Sequence, residues 1–141
     1  CRAGIVRGGG GEACGNISAA PQGVAGKIRE RSEKVIELDE EYKQGAGYRV
    51  LGRLHYKAPK IPLILGWPSK KDAVKYLQKA YDMSSTHIMT VMYLAEALHA
   101  QGEKERAVEL MNDVLEMGLS QGVVEDAVAR HDAKKILQEW K

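Results

Sequence analysis

An all-α fold of paired helices is what the sequence predicts, on three observations. Val91, Leu94, Ala95 and Leu98 recur at the i, i+3, i+4, i+7 spacing of one helical face, and Ala107, Met111, Val114 and Leu115 mark a second apolar face beyond Gly102. Tyr48, Leu51, Gly52 and His55 repeat the first of these patterns upstream, so a helix–turn–helix unit occurs twice. Helix formers dominate from Lys27 onward, and no sustained apolar–polar alternation calls for a strand. The 141 residues suit one domain with a modest core; Phe is absent, so aliphatic side chains, Met and six Tyr must fill it.

Taken in order, residues 1–26 hold eight of the fifteen glycines and show no helical period. Glycine loses much entropy on ordering, so this segment is expected to be flexible, with the helical domain spanning 27–141. Ile28, Val35 and Ile36 mark a first helix from Lys27 to Leu38, read as the second member of a degraded pair. The first full pair opens with the helix around Tyr48 to His55. Its second helix holds Ala73, Leu77 and Ala80, but Ala73 comes about nine residues late against the Ala95–Ala107 spacing of the second pair. The surplus is Ala58 to Ser69, where Pro59, Pro62 and Pro68 forbid a continuous helix. Ser69, with Asp72 three residues on, restarts the helix at capping-box spacing. In the second pair a turn glycine, Gly102, separates the helices, and Ala107 allows their close approach. Gly118 is expected to end the last of these in a left-handed conformation. A final amphipathic helix from about Val123 places Ala133, Ile136, Leu137 and Trp140 on one face and closes the array.

The residues Gly45-Ala46-Gly47-Tyr48-Arg49-Val50-Leu51-Gly52-Arg53, the proline-rich interruption, Lys71-Asp72-Ala73 and Tyr93-Leu94-Ala95-Glu96-Ala97-Leu98 together resemble the tetratricopeptide-repeat superfamily. The likeness, over roughly residues 28–139, is to its interrupted-repeat branch, which includes the T component of TRAP-type solute transporters and the regulator-of-microtubule-dynamics proteins. It implies an α–α superhelix of about six helices, two recognisable pairs plus flanking helices. The function it implies is a non-catalytic scaffold that holds a peptide or protein in a concave groove. The alternative is a periplasmic accessory protein of a solute transporter. A short array of two pairs further implies a stabilising insertion or association with another copy.

The resemblance carries the groove to Arg49, Arg53, Tyr56 and Lys57 of the first pair and to Met89, Met92, Glu96 and His99 of the second. Such a surface is basic at one end, soft and apolar at the other, and suits a partner with acidic and apolar residues. Arg49, Arg53 and Lys57, spaced i, i+4, i+8, share one helix face; between Gly45 and Ser69 every charge is positive. Their ordinary reading is a solvated face whose counter-charges come from neighbouring helices. Trp67, with the apolar run from Ile61, either grips a partner or folds back over a small core; the core role is favoured, since six exposed apolar residues invite aggregation.

Chemistry is thin. Gly26-Lys27 lacks the P-loop pattern, because Pro21 stands where Gly is needed and Ile28 where Ser or Thr is needed. Cys1 and Cys14 lie thirteen residues apart with no close His, and His55, His87, His99 and His131 are scattered; no metal site and no cofactor is expected. No nucleophile elbow is present, which argues against an enzyme. A net charge of +2 argues against a dedicated nucleic-acid binder, and no apolar stretch is long enough to span a bilayer. Cys1 followed by a glycine-rich tether has the form of a processed lipoprotein, which would place the chain in the periplasm with a lipid anchor; the competing expectation is a cut chain end, with the protein cytoplasmic.

Overall fold

The computed structural model describes residues 20–60, 66–118 and 120–141, which form six helices and no strand. They are α1 (Ala20–Leu38), α2 (Tyr42–Lys57), α3 (Lys70–Met83), α4 (Ile88–Gln101), α5 (Lys104–Glu116) and α6 (Val123–Glu139). The helix pairs α2/α3 and α4/α5 make the most extensive contacts; α1 packs on α2, α3 on α4, and α6 on both α5 and α4. This is the helical-hairpin array expected from the repeated pattern. Residues 1–19, with both cysteines, and Ile61 to Leu65 lie outside the described residues, as do the expectations that concern them.

Helix α4 sits at the centre, and its composition explains why. Ile88, Thr90, Val91, Met92, Leu94, Ala95, Ala97 and Leu98 are all buried, so it is apolar nearly all round, the pattern of a helix enclosed by others. Around it Leu77 and Ala73 of α3, Ala107, Met111 and Val114 of α5, and Ala129 and Ala133 of α6 complete the core. Two glycines set the close approaches. A Cβ on Gly52 would stand 2.6 Å from Leu77 Cγ and 3.1 Å from the Ala73 carbonyl, and one on Gly47 2.7 Å from Ile36 Cγ1. Helix α2 therefore lies backbone-close to α3 on one side and to α1 on the other.

The local signals mostly act as their chemistry dictates. Ser69 Oγ accepts the Asp72 amide at 3.3 Å and starts α3. Its own N–H goes to His55 Nδ1 at 3.2 Å, so a histidine of α2 takes the place of the reciprocal carboxylate. Gly102, at φ 94°, ends α4, with the Gly102 amide on the His99 carbonyl and the Glu103 amide on that of Leu98.

Two expectations need correction. Helix α1 begins at Ala20, not Lys27, so residues 20–26 belong to a helix: Pro21 is compatible with a first turn, and Gly26 is carried inside it. Gly118 is not left-handed; α5 ends at Met117 in an extended conformation, and Arg130 donates to the Met117 and Gly118 carbonyls instead. Besides Gly102, the left-handed residues among those described lie at the start of α2, where Lys43, Gln44 and Gly45 have φ of 45°, 59° and 75°. Regular helix runs from Ala46 onward.

Candidate functional site

Helices α1, α2, α4 and α6 enclose an open groove of about 750 Å³. One wall is the α2 face bearing Arg49, Val50, Arg53, Leu54 and Lys57. The floor is the start of α4, with His87, Met89 and Tyr93. Facing α2 is the first half of α6, with Val124, Glu125 and Val128, and Ile28 of α1 closes one side. The lining is chiefly apolar, yet several of these side chains stay open to solvent: Val124 is 71% exposed, Val128 54% and Val50 44%. Exposed aliphatic side chains gathered on a concavity make this the candidate binding surface.

The i, i+4, i+8 spacing does put Arg49, Arg53 and Lys57 on one face, but their surroundings differ. Arg53 forms an ion pair with Glu96 of α4, its guanidinium 4.0 Å from the Tyr93 ring centroid and 5.2 Å from that of Tyr56. The neighbouring helix thus supplies this counter-charge. Arg49 reaches Thr90 Oγ1 at 3.3 Å and the Gln44 and Lys43 carbonyls at 3.4 and 3.5 Å, tying the left-handed turn to α4. Among the described residues no carboxylate lies within 4 Å of it or of Lys57. Burial pushes the Arg49 guanidinium below its ordinary value.

The other residues assigned to the groove divide. Met89 lines it. Met92 and Glu96 line, with Arg53 and Lys57, a smaller adjoining cavity of about 270 Å³ against Asp132, Lys135 and Glu139 of α6. Met92 is itself 4% exposed and belongs to the core. Tyr56 packs partly on the core beneath Lys70, which donates to its carbonyl. His99 stacks flat on Trp140, ring centroids 4.0 Å apart, so the end of α6 covers it and withdraws it from the groove. Trp67 lies edge-on to His55 at 5.1 Å with Arg29 of α1 at 4.9 Å, a contact that turns it inward onto α1 and α2.

The sequence reading missed the α6 wall and what holds it. Asp126, wholly buried, accepts the Ser120 amide at 2.6 Å, and the Gln121 amide and the Ser120 hydroxyl at 3.2 Å each. The backbone bond from Ser120 is the leading cause that holds its carboxyl below the usual range. Ser120 Oγ in turn accepts the Ile88 amide at 3.2 Å, so the first turns of α4 and α6 are joined through one hydroxyl. His87 precedes α4 and is 5% exposed, and its Nδ1 has no hydrogen-bond partner. Burial first, then Arg49, holds its pKa down. A valine pair spaced i, i+4 at Val124 and Val128, on the side of α6 away from Ala129 and Ala133, was the one available signal for this wall.

Among the described residues no group of three or more His, Cys, Asp or Glu side chains is placed to hold a metal, and no helix is long and apolar enough to cross a membrane. No family model matches the chain, and no curated protein is significantly similar to it.

Proposed function

We propose that this chain is a non-catalytic scaffold of tetratricopeptide-like build that holds a peptide or protein segment in the groove between α2 and α6. The observation that carries the reading is a concavity whose aliphatic side chains, Val50, Val124 and Val128, remain exposed beside Arg49 and Lys57, neither of which has a carboxylate within 4 Å among the described residues. A partner segment bearing apolar and acidic residues complements both features. The apolar part supplies affinity by leaving water; the charges supply orientation and association rate.

Selection of binders from a displayed peptide library tests this. Enriched peptides are expected to combine aliphatic and acidic residues, to bind more weakly as salt rises, and to lose binding to Val124→Asp and Val128→Asp variants. Both positions are exposed, so these variants should melt with the parent. Peptides whose binding is indifferent to both substitutions would place the interaction elsewhere.

A further inference from the structure

At the foot of the groove two side chains that lack a full complement converge beside the first turn of α4. Arg49 is a partly buried cation with no carboxylate within 4 Å among the described residues. Its contacts are a hydroxyl and two carbonyls at 3.3 to 3.5 Å, the long end of hydrogen-bonding distance, and a guanidinium has five N–H groups to place. His87 is 5% exposed, lines the groove and leaves Nδ1 unpartnered, an uncommon state for a buried ring nitrogen. It also precedes the first turn of the fourteen-residue helix α4, where the Ile88 amide donates to Ser120 Oγ and those of Thr90 and Val91 to the His87 carbonyl, which leaves the Met89 amide at the positive end of the helix.

The acids nearby do not answer them. Asp126 is engaged by Ser120 and Gln121, and Glu125 lines the groove without coming within 4 Å of Arg49. A neutral imidazole can donate from one ring nitrogen; burial and then Arg49 favour that neutral form, against the His87 backbone and Asp126.

We propose that Arg49, the His87 imidazole and the first turn of α4 form a carboxylate-binding pocket, and that an Asp or Glu side chain set among apolar residues anchors the partner segment there. The proposal rests on the groove being a docking surface and adds its polar anchor. A carboxylate offers the two acceptor oxygens that a guanidinium fork and a ring N–H together can engage. Its apolar neighbours would meet Val50, Met89, Val124 and Val128.

Octanoate and 1-octanol serve as probes, because they differ in the head group and share the apolar body. Octanoate is expected to bind about tenfold tighter than the alcohol, as a charge-assisted pair should. On the unaltered chain it should shift the ring-nitrogen signals of His87 and the Met89 amide in NMR spectra, a readout that needs no variant. In Arg49→Gln the octanoate preference should fall to less than about threefold. Equal binding of the two probes, with both in the groove, overturns the carboxylate pocket while leaving the groove a docking surface. Octanoate shifts confined to Lys57 overturn it as well. Octanoate that binds at His87 but is not displaced by a groove-binding acidic peptide makes the site one for free small acids and overturns the anchoring of a partner. If neither probe enters the groove, the pocket falls, whereas the docking reading stands or falls on the valine variants.

Discussion

Adding one methyl group at Gly52 should destabilise the protein, although alanine is the better helix former. The new Cβ would lie 2.6 Å from Leu77 Cγ, against a carbon–carbon optimum of about 3.5 to 4.0 Å, so the α2/α3 contact must open by about 1 Å. Relief is blocked on both flanks. Leu77 is fully buried and cannot swing to solvent, and the Ala73 carbonyl, 3.1 Å away, belongs to the α3 backbone. Overpacking of this kind costs about 1 to 3 kcal/mol, and the gain in helix propensity offsets up to about 1 kcal/mol. The net loss is about 1 to 2 kcal/mol, a fall in Tm of roughly 4 to 8 °C for a domain of this size. Gly26→Ala is the control, because nothing lies within 4 Å of its Cβ position in α1; propensity alone should raise stability by up to about 1 kcal/mol. Thermal and urea melts followed by circular dichroism at 222 nm measure both. If Gly52→Ala melts at or above the parent, α2 and α3 do not approach as described and the pairing argument fails.

Other consequences are as direct. Gln44→Gly should stabilise by about 1 kcal/mol, since glycine holds the positive φ of 59° without the side-chain penalty; unchanged urea melts would argue against it. Glu96→Gln should cost about 1 to 3 kcal/mol, because Arg53 loses a partly buried charged acceptor, and Arg53→Glu should cost more by setting two carboxylates together. A charge-reversal test of binding therefore belongs at Arg49 and not at Arg53. Stability should fall on acidification in two windows, measured as Tm against pH. Burial leads in holding His55 and His87 below their ordinary value, so below about pH 6.5 the unfolded chain takes up protons that the folded one resists. Asp126, held below its ordinary value, contributes stability above about pH 4 that is lost as pH falls further, and Asp126→Asn should remove that lower limb.

Much of the fold was legible because it is written in spacing. Leu94, Ala95 and Leu98 face the core as their period requires, Ser69 caps its helix, and Gly102 turns the chain. What failed were single-residue inferences about backbone state. Gly118 was read as a left-handed stop, yet Arg130, thirteen residues beyond Met117, satisfies the last carbonyls. The first helix was expected from Lys27, yet α1 begins at Ala20 and runs through Gly26. The candidate groove was half legible: the resemblance pointed to Arg49, Arg53, Lys57 and Met89, and all four lie in its lining. The facing wall and the Ser120–Asp126 link were not legible, because α6 folds back over α4 by a contact between segments that share no sequence pattern. His99 and Met92 were placed correctly along α4, but the end of α6 and the core claim their side chains.

Because α4 is buried on nearly every face, opening it means dismantling most of the molecule, and its amides should be the last to exchange with deuterated solvent. The two outer walls of the groove are held differently: α1 packs chiefly on α2, and the start of α6 is moored to α4 through the Ser120 hydroxyl and Asp126. Helix α6 also gives Ala129 and Ala133 to the core, so of the two walls only α1 can shift without opening it. The two walls thus differ in what their movement costs: shifting α6 strips the buried Asp126 and Ser120 of their partners, whereas shifting α1 opens chiefly its seam with α2.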